Sequence, residues 1–439
     1  MKLVTNPLLL GIAALTLYLN SFPLTLGGET LRPAFLVFSL LFFVLVVLFR
    51  KPFPDIRVYN GEALLALVLM VSVIYSIVSA LLMPESVSRM KSVDRYILSI
   101  GYAVQVICSL FFLIMGNVFS YIYGCKAVFK ALVGAGIFVG IFGLFQVLSD
   151  NGQVVTNIRG FFAKTQFPVG YNRVPLLSVE PSIAMIELYM LAGVSLVALM
   201  KAHNLPFLVS SSFFVFLLSI GALANSTLGI LLLLVFSIFY AMSFERFRSR
   251  FVKYLFVFGL LVFGGFALFF IGSENIYFLR LWEVTLGVLS GDLMIEESAA
   301  TRLMSISIFF NFLGSDFLFS GTGGKLFSFY FSDFLNKEFL VYPLVYDWAN
   351  PLSSRVPDVK IFPFAILIEN GIFIGISIML AFFYFVVQVY SRLHLHRMAF
   401  VMFIAISVLS SLSIGLFYFA PFWFVLGVFS FCSKAPKRY

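Results

Sequence analysis

Residues 97–117 read ILSIGYAVQVICSLFFLIMGN, an uninterrupted run without a single charged side chain. Such a run is about the length a helix needs to cross the roughly 30 Å hydrocarbon core of a bilayer. Comparable runs fall near 5–20, 34–49, 61–82, 127–148, 181–200, 206–223, 227–242, 252–271, 361–389, 398–418 and 421–433. Several are shorter than the ideal of about 20 residues, so their ends are soft. Together they predict an all-α, polytopic membrane protein of about twelve transmembrane helices, forming one transmembrane domain over residues 1–439. The opening segment, Lys2 followed by Pro7 to Leu19, has the look of a signal peptide. No small-x-small cleavage site follows it, which favours an uncleaved first helix.

Composition points the same way. Of the 439 residues, 61% are hydrophobic, 11% charged and 18% aromatic, with 57 Phe. A soluble domain must wet its outer shell and cannot hide that much apolar surface, whereas lipid can cover it. The net charge of +9 sits in short Lys/Arg clusters between apolar runs. That is the orientation code of a membrane protein and implies no nucleic-acid partner. The three cysteines, Cys108, Cys125 and Cys432, lie in or beside apolar runs, so no disulfide framework or metal set is expected.

The charge bias orients the chain. With the N-terminus inside, the inner segments carry Lys2; Arg50, Lys51 and Arg57; Lys126 and Lys130; Lys201; Arg246, Arg248, Arg250 and Lys253; Arg392 and Arg397; and Lys434, Lys437 and Arg438. Acids there are scarce beyond Asp55 and Glu245, and both termini come out cytoplasmic. Segment 83–96, with Arg89, Lys91 and Arg95, is the discordant outer loop. The expected protein is therefore of inner-membrane type, with residues 272–360 forming a long loop between the ninth and tenth spans that faces away from the cytoplasm. Within it, Thr301 to Phe319 reads as an amphipathic helix with Leu303, Ile306, Phe309, Phe310 and Leu313 on one face, lying at the membrane surface and capping the bundle. Gly321, Gly323 and Gly324 then form a flexible turn.

Ionisable residues in or at the ends of apolar runs are costly and mark functional candidates. Glu180, Glu187 and Glu369 qualify on the outer half; Glu62 begins a run on the inner side. Each could equally fix helix packing through a pair or hydrogen bond. Outer basic residues form a second group: Arg159, Lys164, Arg173, Arg280, Arg302, Lys325, Lys337, Arg355 and Lys360. Arginine suits a diphosphate through its paired, permanently charged donors, although a surface Arg more often meets water or headgroups. His203, His394 and His396 all fall on inner loops, which leaves no histidine for outer-face chemistry. Gly321-Thr-Gly-Gly-Lys325 lacks the rest of a P-loop and is not a nucleotide site.

Four strings then occur in a telling order: Asn172-Arg-Val-Pro-Leu-Leu-Ser-Val-Glu-Pro-Ser182, Ala224-Asn-Ser-Thr-Leu-Gly229, Arg302 leading into Leu313-Gly-Ser-Asp-Phe-Leu-Phe-Ser-Gly-Thr-Gly-Gly324, and Glu369-Asn-Gly-Ile-Phe-Ile-Gly375. In this order, over roughly residues 130–390, the chain resembles bacterial O-antigen polymerases and the wider O-antigen ligase/polymerase superfamily. The resemblance implies a bacterial inner membrane, whose periplasmic side the long loop then faces. It implies a GT-C-like glycosyltransferase acting on undecaprenyl-diphosphate-linked oligosaccharides, with membrane lipid around it and a chain-length-regulator protein as a further partner. It implies no nucleotide sugar, no cofactor and no metal. Ligases of the superfamily use a loop histidine, and its absence here favours polymerase over ligase. A lipid-linked oligosaccharide flippase is the rival of another class, but the halves of the chain show no internal repeat.

On this reading Arg173 and Arg302 stabilise the departing diphosphate and Glu180 receives or orients the acceptor hydroxyl's proton. Arg159, Arg280 and Glu369 would line the substrate cavity. Trp282, Tyr342, Tyr346 and Trp348 would offer flat faces to sugar rings, or else anchor the loop at the interface. The orientation is testable with single cysteines in intact cells. A cysteine at Ser298 should label from outside while one at Ser249 stays protected; the reverse pattern would overturn the orientation and the histidine argument with it.

Overall fold

In hydrocarbon an unpaired peptide N–H or C=O costs several kcal/mol, so an apolar chain must close its own hydrogen bonds, which a helix does locally. The computed structural model describes residues 5–19, 33–49, 58–88, 93–148, 181–203, 205–223, 227–243, 297–353, 356–357, 359–412 and 419–434. All regular structure among the described residues is helical. The longer elements are α1 (Pro7–Thr16), α2 (Pro33–Phe49), α3 (Asn60–Leu82), α4 (Arg95–Tyr123), α5 (Cys125–Leu148), α6 (Pro181–Glu187), α7 (Val194–His203), α8 (Phe207–Leu223), α9 (Thr227–Ser243), α10 (Glu297–Leu313), α11 (Phe362–Arg392), α12 (Arg397–Ser410) and α13 (Ala420–Lys434). A wide π turn, Leu188–Gly193, joins α6 to α7.

Five stretches, Asn60–Leu82, Arg95–Tyr123, Cys125–Phe145, Ser182–Met200 and Phe362–Arg392, are long and apolar enough to cross a membrane. The other expected spans coincide with shorter apolar helices, except 252–271, which lies outside the described residues. Polar groups start the helices where the sequence supplies them. Asp94 Oδ1 accepts the Tyr96 and Ile97 N–H groups at 2.7 and 3.4 Å to open α4. Gly124, at φ 80°, closes α4 so that Cys125 can begin α5 at once.

Burial sorts the helices into centre and rim. Of the Ser182–Met200 stretch, 89% is buried, against 28% of the apolar window in α11. The α6–α7 segment is thus the axis around which the others pack, and Glu187 is only 2% exposed within it. α3 shows the rim pattern: Leu65, Leu69, Ser72, Ser76 and Ala80 are buried while Leu67, Ile74 and Leu81 are exposed. An apolar outer stripe of this kind is what a lipid-facing helix presents.

The closest helix crossing depends on two glycines. A Cβ on Gly116 of α4 would fall 2.2 Å from the Phe424 carbonyl oxygen, and one on Gly427 of α13 would fall 2.1 Å from the Leu113 carbonyl. With no hydrophobic drive between helices in lipid, such backbone approach is a main source of packing energy. Beside it, a buried ion pair joins the helices' ends. Lys434 Nζ lies 2.8 Å from Glu62 Oε2, and Asn117 bridges both partners at 3.3 Å. Glu62 also caps α3 by accepting the Tyr59 N–H at 3.3 Å.

These contacts define two ends. Tyr59–Glu62, Asn117, Cys125, Gln388, His396 and Ser433–Lys434 gather at one, the basic end, where Gly61 N–H donates to Gln388 Oε1 at 3.0 Å and Phe129 meets the His396 ring at 5.3 Å. The described residues among 297–360 cover the other. Arg95, from the discordant segment 83–96, stands at that loop-covered end with its charge answered locally: its guanidinium donates to the Met83 carbonyl and lies 4.9 Å over the Tyr96 ring.

The cysteine expectation needs correction. Cys125 and Cys432 form a disulfide with Cα atoms 6.3 Å apart, across 307 residues of sequence. Cys125 follows directly on α4, and α13 packs along α4, so partners remote in sequence meet at one helix end.

Gly427→Val and Gly116→Leu should each lower the thermal midpoint of the purified protein by several degrees, since overpacking costs about 1–3 kcal/mol. Gly134→Ala is the control, because a Cβ there meets nothing within 4 Å. Unchanged melting in the first two variants would refute the close crossing.

Candidate functional site

α11 is not one helix. Gly371 sits at φ 69°, ψ 173° inside it, a conformation that glycine adopts freely and other residues do not. A break orphans backbone groups that the α ladder would pair, and here the chain after α10 supplies partners for three of them. Thr322 N–H and its hydroxyl donate to the Ile368 carbonyl at 2.9 and 3.2 Å, Gly323 N–H donates to the Glu369 carbonyl at 2.8 Å, and Ile372 N–H donates to the Leu318 carbonyl at 2.9 Å. Lys325 N–H completes the clasp by donating to Glu369 Oε1 at 3.1 Å.

Backbone meets backbone there with no space for side chains. A Cβ on Gly371 would lie 2.2 Å from the Phe319 carbonyl oxygen, and one on Gly321 would lie 2.2 Å from Gly371 N. Lys325 itself holds the left-handed region at φ 58°, a conformation uncommon outside glycine. The turn expected to be flexible is therefore buried and pinned. Further hydroxyls secure it from the bundle: Tyr75 to the Gly321 carbonyl at 3.3 Å, and Ser76 to the Gly324 carbonyl at 3.1 Å. Tyr102, bonded to Ser72 at 2.9 Å and to Asn370 Oδ1 at 3.5 Å, presents its ring to Gly324.

α10 docks this assembly. A helix stands there, but it runs from Glu297 to Leu313 rather than from Thr301 to Phe319, and its inward face differs from the expected one. Ala300, Met304, Ile308 and Phe312, with Thr301 and Ser305, are buried, whereas Phe310 is 66% exposed and Leu313 is 40% exposed. The outward Phe310 suits a helix lying against lipid. Phe309 stacks on Phe364 of α11 with centroids 4.1 Å apart.

Among the candidate site residues, Arg302 lies on α10, where its Nε donates to the Leu412 carbonyl at 3.2 Å. Two nearby bonds tie the same junction, Phe362 N–H to the Ser411 carbonyl and Lys360 N–H to Ser305 Oγ, both at 3.0 Å. Arg302 and Glu369 thus belong to one loop-covered end, on helices joined by stacked rings. Tyr346 is 62% exposed and presents its ring outward. Trp348 does not: it is 5% exposed and packs edge-on against Phe331, so its faces are taken by the loop's own core. Tyr342 is buried there as well. Burial, reinforced by Tyr75 and Asp333, pushes the Tyr330 phenol above its usual range. Glu180, Arg173, Arg159 and Arg280, with Lys164, Arg355 and Trp282, lie outside the described residues.

The residues the sequence reading overlooked are Tyr75, Ser76, Tyr102 and Asn370. Their signal was present, as polar side chains inside runs otherwise built of Leu, Val and Ile.

Gly371→Ala and Gly321→Ala should each destabilise the fold by at least about 1–2 kcal/mol, the cost of placing a Cβ in the left-handed region, before any clash. Gly314→Ala should not, since its Cβ meets only the Asn311 carbonyl oxygen at 3.7 Å. Limited proteolysis within 314–330, read against thermal midpoints, checks both, and equal resistance in all three variants would refute the pinned turn.

Comparison of the chain with protein-family models, with curated proteins and with solved structures finds no match in any of the three.

Proposed function

We propose that the chain is a membrane glycosyltransferase that polymerises undecaprenyl-diphosphate-linked oligosaccharide repeats at the periplasmic face of a bacterial inner membrane, in the manner of an O-antigen polymerase with a GT-C-like fold of about twelve spans. The observation that carries the reading is the clasp. Two strings on which the resemblance rests, Leu313–Gly324 and Glu369–Gly375, are far apart in sequence yet bonded backbone to backbone at one end of the bundle. A third element, Arg302, lies on the helix that leads into the first of them.

In the proposed reaction a hydroxyl of one lipid-linked repeat attacks the anomeric carbon of the growing chain. The carbon–oxygen bond to the diphosphate breaks, and undecaprenyl diphosphate leaves with the electron pair. Arg173 and Arg302 lower the energy of that developing charge more than they stabilise the bound substrate. Glu180 takes the hydroxyl's proton or orients it. Arg159 and Arg280 hold substrate phosphates or sugars, and Tyr346 is the exposed ring available to a sugar face. Glu369, anchored by the Lys325 N–H, positions the turn beside the substrate.

A gel of surface glycans from a deletion strain tests the reading. A single-repeat band restored to a ladder by the wild-type chain is expected; complete absence of the glycan would point to a flippase or ligase instead. Arg173→Ala and Arg302→Ala should abolish polymer at normal protein level, with Lys a poor substitute because it lacks the planar pair of donors. Glu180→Gln should slow transfer by roughly 10²-fold or more if Glu180 is the base. Full-length polymer from both arginine variants would reduce them to surface charges.

A further inference from the structure

The basic end holds a cavity of about 270 Å³, lined chiefly by Tyr59, Asn60, Gln388, Arg392, Ser433 and Lys434. We propose that it binds a phosphate group, carried either by an anionic lipid headgroup or as free phosphate. The proposal is independent of the transfer reaction above.

The lining is cationic and its donors are oriented. The Arg392 guanidinium carbon lies 4.5 Å from the Tyr59 ring centroid and Lys434 Nζ lies 4.8 Å from the same centroid. The contact with the ring holds the guanidinium at the cavity, and a guanidinium can offer paired donors to phosphate oxygens. Lys434 spends two of its three donors on Glu62 and Asn117, at 2.8 and 3.3 Å. Gln388, also in the lining, accepts the Gly61 N–H through Oε1 and keeps its amide nitrogen as a donor.

No carboxylate lines the cavity among the described residues. The nearest acid, Glu62, is committed to Lys434, Asn117 and the Tyr59 N–H. With that pair neutral, Arg392 supplies a net positive charge, and the start of α3 adds the positive end of a helix. Arg392 and Lys434 also close the last turns of α11 and α13, offsetting the negative ends those helices would otherwise turn on an anion. The volume falls just below the roughly 300–1,000 Å³ of sites for larger organic ligands, which suits a headgroup.

The test uses the full chain purified in detergent. Thermal midpoints and lipid retention by native mass spectrometry are measured with phosphatidylglycerol, with phosphatidylcholine, and with inorganic phosphate alone. Phosphatidylglycerol should stabilise and be retained over phosphatidylcholine. Arg392→Gln should weaken retention about tenfold, the loss of one charge-assisted pair of bonds. Arg392→Lys, which keeps the charge, should lose less. Arg397→Gln is the control: its guanidinium donates to the Leu393 and Ser391 carbonyls outside the cavity. Stabilisation by inorganic phosphate alone, lost in Arg392→Gln, identifies a free anion as occupant; stabilisation by phosphatidylglycerol only identifies the lipid. No effect of either probe, or equal losses at Arg392 and Arg397, overturns the proposal.

Discussion

Every backbone donor and acceptor within hydrocarbon needs a partner, and the architecture follows from how that demand is met where a helix is interrupted. Over most of the chain the helix meets it alone. At Gly371 it cannot, and the Leu318–Lys325 segment supplies partners for the Ile368 and Glu369 carbonyls and the Ile372 N–H. Break and turn are therefore mutually dependent. Without the turn, the Ile368 and Glu369 carbonyls would be bare; without the break, the turn would have no partners for Thr322 and Gly323. The loop assembly is held to the bundle by peptide hydrogen bonds rather than by side-chain contact alone, which explains why glycines concentrate on both surfaces.

The two ends of the bundle are built on different chemistry. At the loop-covered end, neutral hydroxyls and amides (Ser72, Ser76, Tyr75, Tyr102 and Asn370) surround the clasp. At the basic end a buried ion pair and two stacked cations prevail. A reaction that expels a diphosphate needs cations at its own end, and in the proposed mechanism Arg302 is the described residue that could provide one.

Much of the helical plan was legible because apolar runs of membrane length report directly on local structure. Which face of a helix turns inward was not. In α10 the sequence favoured Leu303, Ile306, Phe309, Phe310 and Leu313, whereas the protein buries Ala300, Met304, Ile308 and Phe312. Lipid is as apolar as Leu, so hydrophobicity does not separate a protein-facing side from a lipid-facing one; small and weakly polar residues such as Thr301 and Ser305 carry that information. The turn at Gly321–Gly324 was legible as a turn, but glycine signals both freedom and close approach, and only the facing Gly371 distinguishes them. Cys125 and Cys432 gave no local sign of pairing. Of the candidate site, Glu369 bonds the turn and Arg302 bonds the Leu412 carbonyl, while Trp348 shows that an aromatic in a loop can belong to that loop's core.

The Glu62–Lys434 pair closes the molecule between an early helix and the last one. A buried carboxylate stripped of its cation is costly, on the order of 3–5 kcal/mol. During synthesis Glu62 is made 372 residues before its partner. Until α13 emerges, that carboxylate lacks the cation it pairs with in the finished bundle. A carboxylate near the start of α3 thus depends for its partner on α13, far along the chain.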